Sequence, residues 1–378
     1  MGFPKGVTPF GRRRHANMKY TIQGARLEGC SVVLGENKHV IDDEPQYYGN
    51  DPSLLQRLKN IIGMNVRYTA GSDTTTADLC TLAARQLMDA LPYSLQELGA
   101  VISVTQTPDY QMPGNAHVLH GNLGMGADVA ALDIGMGCSG FVYGLWLASL
   151  IVSSGNRPVL LVTGDTLSKK AGHRDKTTAP LFGDAGSASL IAPSETAGAM
   201  HFVLHADGSR FKSMYVPAGG SREPVSPETG RDIPLEDGGF RSAENVYMDG
   251  FGIFRFTMTE QPRLLREVLE YSGKSLDGID VFVLHQANRY IVETITKKAG
   301  ISKEKAPADV FSRFGNQNAA SIPGVLCGSL AERLRNHTLE AVLQGYGTGL
   351  SWGACQLRLE NCLCLPPAPY VREKKNCP

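Results

Sequence analysis

Leu132-Asp133-Ile134-Gly135-Met136-Gly137-Cys138-Ser139-Gly140-Phe141 is the stretch from which the rest of the chain can be read. A short apolar run ends in a glycine-rich turn, a cysteine follows, and an apolar segment from Gly140 to Val152 continues beyond it. That order predicts a strand, a tight turn and a buried helix with the thiol at its first turn. The helix segment is about thirteen residues, short of the roughly 18 needed to cross a bilayer. Unpaired N–H groups and the positive end of the helix dipole would face the sulfur, which predicts a thiolate-favouring nucleophile. The competing reading is an inert core thiol.

Outward from this stretch, apolar runs at Gly99–Thr105, Ala130–Ile134, Pro158–Thr163, Asp280–Leu284, Asp309–Phe311 and Leu339–Leu343 alternate with helix-period segments. Alternation of this kind predicts an α/β layered fold, and runs such as Val159-Leu160-Leu161-Val162 read as strands buried on both faces. Val101–Thr105 resembles Val281–His285 at an offset of 180 residues, and Ala130–Cys138 resembles Asp309–Asn318 at nearly the same offset. Each is followed by a helix of small and apolar residues and then by a strand. A half-length duplication predicts two similar halves with a site between them, whereas generic likeness of α/β units is the alternative. The division expected is 18–195 for the half with the cysteine, 196–360 for the second half, and 361–378 for a tail. Residues 1–17 read as a leader or extension, with Met18 a candidate start.

Composition narrows the function. Among 378 residues, Lys plus Arg number 37 and Asp plus Glu number 37, so the formal net charge is zero. Wholesale binding of a polyanion is excluded, and only a local patch is left for it. Glycine, 42 residues, is about 11% against a usual 7%. The eight cysteines are scattered in apolar segments, which fits reduced thiols in a cytoplasm. Cys362-Leu363-Cys364 has no nearby His cluster, so it reads as a loose tail with no metal site. The Pro- and Gly-rich stretch 206–250 reads either as a pocket wall or lid, or as a surface excursion.

The second half supplies partners for Cys138. His285 ends an apolar strand, where α/β folds place their sites, although a satisfied core histidine has the same pattern. Asn316 follows a glycine turn and precedes small residues in Gly315-Asn316-Gln317-Asn318-Ala319-Ala320-Ser321; a plain helix cap is the alternative. The duplication pairs Thr105 with His285 and Cys138 with Asn318, so these strand ends can converge on one crevice. Gly345-Tyr346-Gly347-Thr348-Gly349 offers backbone N–H groups to an oxyanion, or is only a tight turn.

Gly137-Cys138-Ser139-Gly140-Phe141, His285-Gln286-Ala287-Asn288, Gly315–Ser321 and Gly347-Thr348-Gly349-Leu350-Ser351-Trp352 together resemble β-ketoacyl-acyl carrier protein synthase III. Leu181–Ala188 and His205–Ser209 resemble its connecting motifs, and the likeness runs from about Tyr20 to Leu359. The resemblance implies a thiolase-like fold, two duplicated α/β halves in a five-layered α-β-α-β-α architecture. It implies Cys138, His285 and Asn316 as catalytic residues, with the Cys138 and Thr348 backbone N–H groups as the oxyanion hole. Met112, Lys176 and Asn288 would bind substrate, and Arg289, Lys297 and Lys298 would dock an acyl carrier protein. A homodimer, coenzyme A or phosphopantetheine thioesters as substrates, and no metal or other cofactor are also implied. The basic run Lys169, Lys170, His173, Arg174, Lys176 would meet the phosphates of such substrates.

The chain departs from that pattern in three places. The tryptophan that stacks on adenine is absent from Arg57–Ile61, Thr348 stands where a third glycine is common, and both ends are longer. Rival functions are an acyltransferase of the same fold that makes an ester or amide without decarboxylation, and a thiolase, which needs a second cysteine that Leu343–Gly347 lacks. A papain-like protease shares the order Cys, His, Asn without its Cys-Gly-Ser-Cys-Trp signature, and a non-enzymatic dimeric scaffold would not need these three residues.

Overall fold

The computed structural model describes residues 18–372; the expected leader at 1–17 and Cys377 lie outside them. Two mixed sheets carry the fold. The first has seven strands, in the order Leu363–Cys364, Ala25–Leu34, Ala185–Pro193, Val159–Asp165, Ala100–Val104, Ala130–Ile134, with Ala368–Pro369 also pairing with Ala25–Leu34. The second has five, in the order Met18–Ile22, Met200–Ala206, Ser351–Leu359, Leu339–Gly347, Val281–Leu284.

The duplication is visible in strand pairing. Ala100–Val104 runs parallel to Val159–Asp165, which is antiparallel to Ala185–Pro193. Val281–Leu284 likewise runs parallel to Leu339–Gly347, which is antiparallel to Ser351–Leu359. The correspondence fails at one place: Asp309–Phe311, expected as a strand, caps and begins the helix Val310–Phe314. Val310, Phe311 and Phe314 are buried, a spacing of one helical face that the two apolar residues after Asp309 do not distinguish from a strand.

Five layers follow from where each apolar face is covered. The helices Gly140–Gly155 and Ser321–Gly328 lie between the sheets, and Phe141, Leu145, Ile322 and Leu326 share a core with Leu161 and Leu343. On the outer face of the first sheet, Leu79 and Leu87 of the helix Thr76–Ala90 pack with Val101 and Leu160. On the outer face of the second, Leu265 of Gly250–Ser272 and Ile295 of Arg289–Ala299 pack with Phe282 and Val342. Helices buried on all sides are apolar all round, whereas the outer helices are amphipathic. That is why the central segment from Gly140 reads as a continuous apolar run. No helix among the described residues is long and apolar enough to cross a membrane.

Both ends of the chain cross between halves. Met18–Ile22 pairs with Met200–Ala206 in the second sheet, and Leu363–Cys364 pairs with Gly29 and Cys30 in the first. The tail up to residue 372 is therefore not loose, contrary to expectation, because a two-residue strand covers an open sheet edge. Alternation on that strand turns Cys362 and Cys364 inward, their sulfurs 3.8 Å apart, into the core that holds Cys30 and Cys327. The described cysteines are free thiols, and no His, Cys, Asp or Glu group among the described residues is arranged to hold a metal ion. Truncation after Glu360 removes the strands Leu363–Cys364 and Ala368–Pro369 and is expected to leave the second sheet and the other five strands of the first intact but expose Cys30 and Cys327. Their labelling by a thiol reagent in the native protein should rise above that of the full chain; equal protection would show that the tail is no cover.

Candidate active site

A cavity of about 480 Å³ between the halves reaches Cys138, His285, Asn316 and Gly347. Its walls are mainly apolar: Phe182, Met214, Met248, Phe254 and Phe256 among them. Met214 and Met248 sit side by side in a short hairpin at the base of the 206–250 stretch, which makes that stretch a wall of the site. Cys138 lies just ahead of the helix Gly140–Gly155 and is buried. Gly347 packs directly on it; a Cβ there would stand 2.7 Å from Cys138 Cβ and 2.9 Å from Sγ. Only glycine lets the second half's strand approach the Cys138 side chain so closely.

The expected thiolate is not what this setting favours. Burial pushes the Cys138 thiol up to about 12, and the nearby Asp165 charge pushes it the same way. Loss of hydration at this buried sulfur acts against the partial charge of the helix end. The sulfur donates instead to Asn318 Oδ1 at 2.8 Å, and Asn318 Nδ2 donates to Asp165 Oδ2 at 2.6 Å.

His285 is buried at the end of Val281–Leu284, with Nδ1 2.6 Å from Ser321 Oγ. Burial drives its pKa down to about 3, although a hydrogen bond to the Asn318 backbone acts in the other direction. The imidazole is neutral at ordinary pH, and a Ser321 hydroxyl donating to Nδ1 would place its proton on Nε2. The Tyr346 ring stands edge-on to it at 5.2 Å, and Tyr346 Oη donates to the His285 carbonyl at 3.1 Å.

Asn316 is held by the segment Leu181–Asp184. Asn316 N donates to Leu181 O at 2.9 Å and Gly183 N donates to Asn316 O at 3.0 Å, a parallel bridge centred on Phe182. Gly183 has no room for a side chain, since a Cβ would lie 2.0 Å from Phe314 O. Asp184 anchors the segment by accepting from Ala70 N at 2.8 Å, Ser168 N at 2.9 Å and Ser168 Oγ. Asn316 Oδ1 accepts from Asn318 N at 3.0 Å, so the amide presents Nδ2 as its donor.

The other expected site residues are placed less uniformly. Thr348 follows Gly347 at the cavity, its Oγ1 donating to Gln106 Oε1 at 3.2 Å. Asn288 lines the cavity, but its Oδ1 caps the next helix through Ile291 N. Lys176 does not line this cavity; its Nζ donates to Asp237 O at 3.0 Å. Two others of that basic run are also engaged, Lys169 with the Ser72 and Thr74 carbonyls and Arg174 with Asp232. Arg289 donates to the Lys59 and Asn60 carbonyls, which ties the 58–62 segment to the helix after His285. Lys297 and Lys298 are exposed on that helix. Met112 is exposed and does not line the cavity of its own chain. The roles of Asp165 and Ser321 were not legible in the sequence. Asn318 carried a signal, since its offset of 180 residues from Cys138 is the repeat length.

Two outcomes follow from this geometry. The His285 pKa is lowered from 6.5 to about 3, so its neutral burial stabilises the fold fully above pH 6.5, and that contribution is lost as pH falls toward 3. Relative to wild type, His285→Gln should gain about 1.4 kcal/mol of stability per pH unit through that window, read by denaturant unfolding; a constant difference contradicts it. Gly347→Ala should keep the fold and cut acylation of Cys138 at least about 100-fold, a loss typical of small misplacements at a reacting centre.

The chain matches the 3-Oxoacyl-[acyl-carrier-protein (ACP)] synthase III family over residues 132–208 and the C-terminal domain of the same name over residues 269–359. It is 35% identical over 358 residues to a putative 3-oxoacyl-[acyl-carrier-protein] synthase 3 of Campylobacter jejuni, covering 94% of this chain and 100% of that one. It is 31% identical to a beta-ketoacyl-[acyl-carrier-protein] synthase III of Neisseria meningitidis, covering 89% of this chain and 100% of that one. The crystal structure of a 3-oxoacyl-(acyl-carrier protein) synthase from Burkholderia xenovorans superposes with a TM-score of 0.86 at 33% identity, over 94% of this chain and 99% of that one. Matched along nearly its whole length, with its cysteine, histidine and asparagine motifs opening on one cavity, the chain belongs to the β-ketoacyl-acyl carrier protein synthase III family of thiolase-fold condensing enzymes.

Proposed function

We propose that the protein is a β-ketoacyl-acyl carrier protein synthase III that joins an acyl group to a malonyl-type thioester with loss of carbon dioxide, in fatty acid or related acyl biosynthesis. The observation that carries this reading is the convergence of Cys138, neutral His285 and Asn316 on one largely apolar cavity. In the first step the Cys138 sulfur bonds to the acyl carbonyl carbon, and the donor's thiol leaves with a proton. Backbone N–H groups of Cys138 and Thr348 receive the oxyanion. In the second step the C–C bond to the malonyl carboxylate breaks, carbon dioxide leaves, and the electron pair moves into an enolate. His285 Nε2–H and Asn316 Nδ2–H would donate to its oxygen, a role that requires the imidazole to be neutral and protonated at Nε2. The enolate carbon then attacks the acyl carbonyl, the C–S bond breaks, and the Cys138 thiolate that leaves takes a proton from solvent.

Every group in this sequence of steps is a side chain, a backbone amide or a substrate, so the proposal needs no cofactor. The donors are coenzyme A or phosphopantetheine thioesters. The exposed Lys297, on the helix that follows His285, suits an acidic acyl carrier protein, and charge would steer it to the cavity; Lys298 beside it is exposed too, with Nζ donating to Met258 O at 3.3 Å. Arg289 serves that docking only through the segment it holds. A homodimer belongs to the same reading: Ala130–Ile134 is an open sheet edge, with Leu132 39% and Met112 84% exposed, and both would be covered by a second copy. Action in the cytoplasm fits the free thiols.

Intact mass spectrometry after incubation with acyl-coenzyme A and acyl-carrier thioesters should show an acyl adduct on wild type and none on Cys138→Ala; equal labelling of both contradicts the proposal. Asn316→Ala should retain the adduct while malonyl-thioester decarboxylation falls at least about 100-fold, as for loss of an oxyanion donor. Full acyl transfer to a hydroxyl or amine without any decarboxylation in wild type would favour the ester- or amide-forming alternative.

A further inference from the structure

Asn318 touches all three of the residues just assigned to the reaction, yet no step uses it. Its Oδ1 accepts from Cys138 Sγ at 2.8 Å, its backbone N–H donates to Asn316 Oδ1 at 3.0 Å, and its backbone is hydrogen-bonded to His285. Its φ of +51° is a left-handed conformation, which asparagine adopts more readily than other residues with a Cβ. The direction of its amide is set from behind. Asp165 Oδ1 accepts from Gln106 N at 2.7 Å and from the Thr105 and Thr107 hydroxyls at 3.1 Å each, which leaves Oδ2 for Asn318 Nδ2 at 2.6 Å. Above pH 7 Asp165 is mainly ionised, and a carboxylate accepts and does not donate, so there the amide nitrogen faces Asp165 and the carbonyl oxygen faces the sulfur.

An acceptor at 2.8 Å stabilises the S–H form of the cysteine and repels a thiolate. The other titratable groups facing Cys138 give the thiolate no counter-charge: Asp165 lies behind the amide, while His285 and Tyr346 present neutral rings. We infer that Asn318, oriented by Asp165, is a positioning residue that holds Cys138 as a neutral thiol in the resting site. The nucleophile is thereby guarded from soft electrophiles when no thioester is bound. The inference rests on Cys138 being the nucleophile of the proposed reaction.

The test is the rate of alkylation of Cys138 by iodoacetamide as a function of pH, followed by peptide mass, in the intact protein. Asn318→Gly removes the acceptor without backbone strain, and Asn318→Leu removes it while filling its volume. Both should alkylate at least about tenfold faster than wild type at pH 8, the thiolate gain from one unit of thiol pKa, with the whole profile moved to lower pH. If the leucine variant follows the wild-type profile, the inference is overturned whatever the glycine variant does, because admission of water would then explain any effect. Should the leucine variant not fold, the more flexible Asn318→Met repeats the volume-filling comparison. Alkylation needs no acyl substrate, so failure here and failure of acyl labelling are separate results.

Discussion

The strand Leu339–Gly347 runs against the start of the Gly140–Gly155 helix with no side chain between them. A Cβ on Gly345 would stand 2.8 Å from Ser139 Cα and 2.9 Å from Cys138 O, and one on Gly347 would meet the cysteine side chain itself. The two sheets close over the central helices with backbone touching backbone here. The contact also sets the reach between the halves, since Cys138 comes from the first half and His285 and Asn316 come from the second. Opening it by one methyl group would part Cys138 from His285 and Asn316.

Burial at that junction then decides the electrostatics. The same enclosure pushes Cys138 up and His285 down, so both are neutral near pH 7. A neutral pair suits a site that must handle an oxyanion and an enolate, because the imidazole keeps one N–H to donate and carries no standing charge. Asp165 is also buried, and desolvation raises it to about 7 despite four donors around it. Its link through Asn318 to the sulfur makes the rear of the site polar and fully hydrogen-bonded, while the front is lined with Phe, Met and Tyr. The polar rear orients groups, and the apolar front excludes water.

Read by itself, the sequence determined the layered α/β class, the repeat of about half the chain, and the motifs that became Cys138, His285 and Asn316. Those are local signals: apolar runs of strand length, glycine turns before helices, and spacing preserved by duplication. It misread Asp309–Phe311, because two apolar residues have no period, and it left the tail loose, because edge pairing by Leu363–Cys364 depends on a strand more than three hundred residues earlier. Lys176 and Arg289 looked like ligand cations, yet the fold gives them backbone carbonyls as partners. The protonation of the site was decided by tertiary structure alone. A helix start predicts a thiolate, whereas enclosure by the other half and a carboxylate reached through Asn318 predict a thiol, and desolvation is a property of packing that no run of residues carries.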